Sequence, residues 1–435
     1  MGSASRNGRP CALCSTKRTS MPSGGCGPVS IQGGSATLKS FSPQGEAARK
    51  EEALNSEKSP LSERTQVLRP ESIEEAIQAV RELQGVPTLV KCGGSARNRG
   101  VSPGETEACL DLSSLNKITR LDPDDLSCGV QAGVSMKELE EALAPHGLAL
   151  ESGPFAPSPS TGAMGSRSIG GVLAEAPPAP RSFDRGRLRS QLIGLFAVDG
   201  HGRSFKAGGR VVKNVAGYDL CKLFVGSGGA FFVGLEFQLR LIALPARIVL
   251  LTSPPFGLEE GIAKWRELRK NLPTPRAMDL VFEENSCRIE LLLGGSSAYV
   301  ESQIRRTGFE PRLEGEAAWK GIGKEGADFE GTVFRGSCLP SRLSAWLQEG
   351  PLRGRIHYQG AFAWDRVPGG APPEGILVHP TQLGGTQVPG TPPRDPGARR
   401  IAMELKRSFG GGLMPERLSF LTSAASMERS KEERS

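Results

Sequence analysis

Two glycine-containing stretches carry the residues best suited to chemistry on a large anionic ligand. The first is Gly93-Gly94-Ser95-Ala96-Arg97-Asn98-Arg99-Gly100, which follows the apolar run Thr88–Cys92. Successive main-chain N–H groups in such a loop form an anion-binding nest, and glycine lets a pyrophosphate come close to the backbone. The same residues also describe a plain turn with surface arginines. The second is Gly208–Gly229, GGRVVKNVAGYDLCKLFVGSGG. Its centre, Lys213 to Tyr218, reads as a turn after a strand end at Arg210–Val212, with Gly217 at the conformation side chains disfavour. Asp219 is placed to N-cap a short helix stopping at Gly226. An ordinary tight connection between a strand and a helix is the alternative reading.

These stretches need elements to hold them. A short strand at Val67 ends by Pro70, and Ser72 to Glu75 forms a capping box for a helix with Ile73, Ala76, Ile77, Val80 and Leu83 on one face. Gly85 stops that helix, and the strand Thr88–Cys92 runs into the first loop. Ser127–Ala132 is a further strand; Ser135 to Glu138 is a second capping box, before a helix with Leu139, Ala142 and Leu143 inward. Small residues dominate Glu151–Leu173, as in Gly153-Pro154-Phe155 and Ser168-Ile169-Gly170-Gly171-Val172-Leu173, which suits backbone packed flat against a ring system. Leu192–Val198 and Ser204–Lys206 form a hairpin about Asp199-Gly200-His201-Gly202, with His201 solvated at its tip. Phe232–Leu241 alternates as a half-buried strand does. Beyond Pro245 the chain predicts a helix over Glu259–Leu272, strands over Ala277–Glu283, Ser286–Gly294 and Gly331–Cys338, and a helix over Ser341–Leu347. Val367–Pro396 reads as a Pro/Gly-rich loop, and Arg400–Phe409 as a basic helix.

The run around KNVAGYDL resembles a motif of FAD-linked oxidases of the vanillyl-alcohol-oxidase type. Within them it looks most like the FAD-binding subunit of bacterial glycolate oxidases. The resemblance covers Val67–Pro245, fades through Ala246–Pro372, and returns in short pieces near the C-terminus; Asp111–Leu115 resembles the family's strand after the first loop. It implies an α+β fold, a two-subdomain PCMH-type FAD-binding domain followed by a smaller α+β cap domain. The implied divisions are a disordered tail over 1–65, the FAD-binding domain over 66–245 and a cap or substrate domain over 246–366. A loop over 367–398 and a C-terminal helix and tail over 399–435 complete the chain.

By the same resemblance, Gly93, Gly94, Ser95, Ala96, Arg97 and Asn98 cradle the FAD pyrophosphate. Pro154, Gly170, Gly171 and Val172 lie along the flavin, and Lys213, Asn214, Gly217, Tyr218 and Asp219 position the isoalloxazine. Gly93–Gly100 contains no His or Cys to serve as a covalent anchor, so FAD is expected to be noncovalent. Lys213 would add positive charge near a reduced flavin. His379, in a segment similar to one of the family carrying a His near a Thr, is either a loop histidine or a flavin-side group. His379 and Lys213 are the catalytic candidates, and neither belongs to an acid/base constellation. Arg189 resembles a family arginine, but Ser190 stands where an Asp commonly follows, and Met414 and Glu416 replace the usual Asn and Gly.

The implied activity is oxidation of glycolate or D-lactate to the 2-oxo acid, beside a larger flavin subunit and an iron–sulfur subunit. The alternative is a noncatalytic flavin-holding or structural subunit, which the four histidines favour. A formal charge of +7, from 54 basic and 47 acidic residues, is spread along the chain and suits an anionic cofactor and carboxylate substrates. Aromatics at 6% and no basic block argue against nucleic acid. No run approaches the about 20 apolar residues of a membrane helix. The nine cysteines, odd in number, irregularly spaced and without a secretory leader, predict a reducing cytoplasm, with any membrane association peripheral, at the inner face and through partners. Cys11-Ala-Leu-Cys14 with Cys26 has no fourth ligand nearby, so no metal is expected.

Overall fold

The computed structural model describes residues 65–92, 107–150, 167–176, 181, 188–209, 218–273, 275–283 and 285–322, then shorter pieces between 333 and 410. All lie in the compact unit Lys58–Ser435. The expected N-terminal tail and its cysteines fall outside the described residues, as do 93–106, 151–166, 210–217 and 411–435.

β1 (Gln66–Leu68), α1 (Ile73–Glu82) and β2 (Thr88–Lys91) come first. α1 forms because Ala76 and Val80 recur on one face, where they are buried. Ser72 Oγ accepts from Glu75 N–H, but the Glu75 carboxylate takes Glu71 N–H, so this capping box is half closed. β3 (Ala108–Asp111) inserts between β1 and β2 in a parallel sheet. It lies three residues before the strand expected at Asp111–Leu115. Ala108, Cys109 and Leu110 are buried on both faces, as a central parallel strand requires, and Leu112–Leu115 closes a turn instead.

β4 (Ile118–Asp122), unmarked in the sequence, pairs with β5 (Ser127–Gln131). α2 (Met136–Leu143) starts at Ser135, where both halves of the capping box close. A 3-10 turn, Ala144–His146, leads through Gly147 (φ +61°) to β6 (Leu148–Ala149). Then follow α3 (Ile169–Glu175), α4 (Leu188–Gln191), β7 (Leu192–Asp199), β8 (Ser204–Gly208), α5 (Leu220–Phe224) and β9 (Phe232–Arg240). The five-stranded antiparallel sheet runs β4-β5-β9-β7-β8. Along β9, Leu235, Phe237 and Leu239 are buried while Glu236, Gln238 and Arg240 are half-exposed, the alternation read from the sequence.

β10 (Ile242–Ala243) pairs with β6 and hands the chain to a second sheet. Its elements are β11 (Arg247–Thr252), β12 (Phe256–Gly257), α6 (Leu258–Asn271), β13 (Ala277–Glu283), β14 (Ser286–Gly295), α7 (Ser297–Thr307) and β15 (Glu310–Glu314). α8 (Gly315–Gly321), β16 (Val333–Gly336), β17 (Arg353–His357), β18 (Ala363–Arg366), β19 (His379–Thr381) and α9 (Pro396–Ser408) complete the described chain. The sheet order is β15-β11-β14-β13-β17-β18-β16-β19, with β12 beside β14. One face packs on α6 and α7 through Trp265, Ile262 and Val300, and α8 covers part of the other through Trp319 and Ala318. β11, α7, β15, α8, β17 and β18 had no counterpart in the sequence reading. Among the described residues no helix is long and apolar enough to cross a membrane, and no His/Cys/Asp/Glu cluster could hold a metal ion.

α9 starts four residues before the expected Arg400 and docks on the β7–β8 turn. Gly200 N–H donates to Phe409 O at 2.6 Å, and the Phe409 ring lies 5.2 Å from that of Phe232. Lys406 Nζ donates to Ala230 O at 3.0 Å, and burial depresses its pKa from 10.5 to about 8. The unfolded chain therefore binds more protons between pH 8 and 10.5, so stability rises with pH across that window. Lys406→Met is expected to remove this rise, read from urea midpoints at pH 7 and pH 10.

Candidate functional site

The site is built from the C-terminal ends of β2 and β3. Lys91 and Asp111 face each other in register. The Asp111 carboxylate meets Lys91 Nζ at 3.0 Å and Arg69 Nε at 3.4 Å, and accepts Ser113 N–H at 3.2 Å. Burial alone would push this acid up. The bonds from Lys91 and Ser113 outweigh it and hold the carboxyl below its usual range. The ends from which the Gly93 loop departs are thereby fixed. Gly93, Gly94, Ser95, Ala96, Arg97 and Asn98 themselves lie outside the described residues.

α3 joins these ends to β5. Its N-cap Ser168 donates from Oγ to Cys92 O at 2.8 Å and accepts Gly171 N–H at 3.3 Å. Ile169 N–H donates to Val134 O at 2.8 Å and Gly170 N–H to Ala132 O at 2.9 Å. A Cβ on Gly170 would lie 2.9 Å from Ala132 O and 3.2 Å from Cys92 Sγ, so the position is small because β5 and Cys92 press on it. Val172 is fully buried in the core, which leaves Gly171 as the one of the three with an open side. Both glycine amides are already engaged, so what this turn offers a ring is lack of bulk, not N–H donors. Burial pushes the Cys92 thiol up to about 12, partly offset by Ser168 and reinforced by the Asp111 charge, so it stays protonated and unreactive.

The other end of α3 receives the turn that follows α5. Gly226 N–H donates to Leu173 O at 3.1 Å and Gly228 N–H to Ala174 O at 2.7 Å. Asp219 caps α5 by accepting Lys222 N–H at 3.1 Å and pairs with Lys222 Nζ at 2.9 Å. Burial raises its pKa, but Lys222, and then the charge of Arg189, outweigh this and lower it. Tyr218, beside it, is 96% exposed. Residues 210–217 thus leave β8 at Gly209, whose N–H bonds Ile193 O at 3.0 Å, and return at a capped helix tied to α3. Lys213, Asn214, Gly217 and Pro154 lie outside the described residues. His379 stands in β19 of the second sheet, opposite Arg335, apart in the chain from the elements gathered at α3.

The sequence reading had no means to find the Ser168–Cys92 bond, which links residues 76 apart, or the Asp111–Lys91 pair. Ser168 carried a local signal, an N-cap residue type before the Gly170-Gly171 turn. Ser168→Ala is expected to cost about 1 kcal/mol for the cap and about as much again for the lost bond to Cys92 O. Thermal unfolding of the alanine and threonine variants checks it, with threonine retaining most of the stability.

Residues 65–208 match the FAD binding domain family model. The D-lactate dehydrogenase of Archaeoglobus fulgidus is 30% identical over 210 residues, covering 48% of this chain and 45% of that protein. Glycolate oxidase subunit GlcD of Bacillus subtilis is 32% identical over 160 residues, 37% of this chain and 33% of that one. Glycolate oxidase subunit GlcE of Escherichia coli is 29% identical over 266 residues, 60% of this chain and 70% of that one. The chain spans less than half the length of the first two relatives. Alkyldihydroxyacetonephosphate synthase shares the fold at a TM-score of 0.58 and 14% identity, over 80% of this chain and 74% of that one.

The fold and the matched domain define a mixed α/β flavoprotein with a PCMH-type FAD-binding domain. Residues 65–208 carry an FAD binding domain like that of these oxidases, and FAD is its cofactor. The described residues fit that cofactor: Gly171 leaves an open side on the α3 turn, beside strand ends held by the Asp111 pair.

Proposed function

We propose that this chain is the FAD-binding subunit of a glycolate-oxidase-like 2-hydroxy-acid dehydrogenase. The observation that carries the reading is the convergence on α3. The Gly93 loop base and the Gly226–Gly229 turn, far apart in sequence, are both hydrogen-bonded to one short helix whose first turn carries Gly170 and Gly171. Bound FAD supplies the two-electron acceptor for a hydride from the α-carbon of glycolate or D-lactate. Residues 66–245 hold it, with the pyrophosphate on Gly93–Asn98 and the ring system between the Gly171 turn and Lys213–Tyr218. Residues 246–366 form the cap that shapes the substrate pocket. A larger flavin subunit and an iron–sulfur subunit complete the assembly, in the cytoplasm or at the inner face of the membrane.

The second reading is a subunit that holds flavin for assembly or electron relay without oxidising substrate. It is favoured by the exposed positions of His146 and His201 on turns, where they can serve no buried acid/base pair. A visible spectrum before and after acid precipitation tests the cofactor, with flavin expected in the supernatant. The purified chain is then assayed with glycolate, D-lactate and an artificial acceptor. Turnover without partners sinks the structural reading, while bound FAD without turnover sinks the catalytic one for this subunit alone.

A further inference from the structure

We infer that the cleft between α2 and α8 is a second ligand site, for a small apolar molecule that carries no negative charge. The cavity holds about 480 Å³, within the about 300–1,000 Å³ usual for small-molecule sites. One wall is Leu148, Ala149 and Leu150, around β6; the other is Leu244, Ile248 and Trp319, from the β10–β11 crossover and α8. Trp319 is fixed before any ligand arrives. The Arg181 guanidinium lies 3.9 Å over its ring and donates to its carbonyl at 2.6 Å.

The rim decides the ligand's charge. Lys320 Nζ is 2.7 Å from Glu316 and 3.7 Å from Glu140, and Arg247 is 3.2 Å from Glu314 and 2.6 Å from Glu301. Both cations are committed to carboxylates, and three acids (Glu140, Glu314 and Glu316) line the cleft against two bases. A hydroxy acid or a phosphate would meet an excess of acids at a rim whose two lining cations already pair with carboxylates. The site is also separate from the flavin turn. α2 starts at Met136, whose N–H bonds Arg167 O beside α3, and the cleft is lined from Glu140 and Ala144, about 6 and 12 Å further on, with no residue of α3 in its wall. An occupant touching β6, β11 and α8 at once would tie the β6–β10 pair to the sheet that contains β11. This site does not depend on which hydroxy acid, if any, the flavin oxidises.

The test titrates the full chain, saturated with FAD, with neutral N-phenyl-1-naphthylamine and with anionic 8-anilinonaphthalene-1-sulfonate, both bright in apolar surroundings. The neutral dye is expected to bind saturably and at least about tenfold tighter than the anionic one. Ala144→Phe at the exposed edge and Ala149→Phe inside should each weaken it about tenfold, with circular dichroism and flavin absorbance unchanged. Two positions are used so that one misfolded variant does not decide the matter. Lys320→Glu should leave the neutral dye unaffected and weaken the anionic dye further. The assignment is overturned if the neutral dye does not saturate, if both dyes bind equally, or if no folded Phe variant changes its affinity.

Discussion

Arg355→Leu is expected to lower the stability of the protein by about 3–5 kcal/mol at pH 8 and by less at pH 5. One guanidinium nitrogen of Arg355, on β17, lies 2.8 Å from Asp279 on β13 and 2.7 Å from Glu290 on β14. Asp279 is 0% exposed and Glu290 1%, so each carboxylate depends on partners the protein itself provides rather than on water. Burial would lower the Arg355 pKa, but the charges of Glu290 and Asp279 outweigh it and raise it. Glu290 keeps Arg288 at 3.3 Å and Arg312 at 3.4 Å when Arg355 is removed. Asp279 loses the Arg355 guanidinium, and burial, no longer opposed by that charge, is expected to favour its protonated form in the folded variant. A carboxyl with a raised folded pKa favours folding below the unfolded pKa and loses that advantage as pH climbs through the folded one. The defect is therefore largest at alkaline pH. Adding Asp279→Asn should recover part of the loss at pH 8, because position 279 then carries no buried charge and Glu290 keeps Arg288 and Arg312. Urea unfolding at pH 5 and pH 8 reads all of this. A loss below 1 kcal/mol at both values would mean water already solvates the cluster.

Gly133→Ala is expected to cost about 3 kcal/mol and to weaken FAD retention together with stability. The added Cβ would lie 2.6 Å from Leu112 O and from Ser113 O, and 2.8 Å from Leu115 O. All three are backbone atoms of the turn after β3, and Gly133 N–H bonds the last of them at 2.7 Å. They cannot retreat without pulling on Asp111, whose carboxylate accepts Ser113 N–H, and so on the strand end under the Gly93 loop. On the other side, Ala132 O accepts Gly170 N–H, so the strain reaches α3 as well. Gly209→Ala is the matched control, since its Cβ would meet nothing within 4 Å. That variant should stay within about 0.5 kcal/mol of the parent. Equal stability of the two variants would show that the 112–115 turn yields freely, and an unchanged flavin content in Gly133→Ala would disconnect this turn from the cofactor.

Much of the architecture was legible because it is periodic. β9 was readable from its alternation, α2 from Ser135, Glu138 and its inward leucines, and α6 from Ile262, Trp265 and Leu268. In each case the burial that stabilises the element repeats at the element's own period, so local residue order carries the information. Runs buried on both sides lack that contrast. Ala108–Asp111 shows no alternation, and its place was misjudged by three residues. Arg247–Thr252, with four consecutive buried apolar residues, went unread for the same reason.

The chemistry of the site divides along the same line. Residue types alone offered the Gly93 loop, the Gly170 turn and the stretch from Lys213 to Asp219 as places where a ligand could approach the main chain, because small volume is a property of glycine itself; the resemblance made them expected cofactor contacts. The tertiary structure decided that Ser168 holds Cys92, that Gly170 is pressed by β5, that Val172 faces the core, and that the turn after α5 closes on α3. It also decided that Arg355 serves two acids at once and that Arg181 seats Trp319. These are contacts between a side chain and a carbonyl, a carboxylate or a ring brought from a distant part of the chain. A main-chain carbonyl is the same at every residue, and a charged partner is one of many, so no spacing in the sequence singles them out.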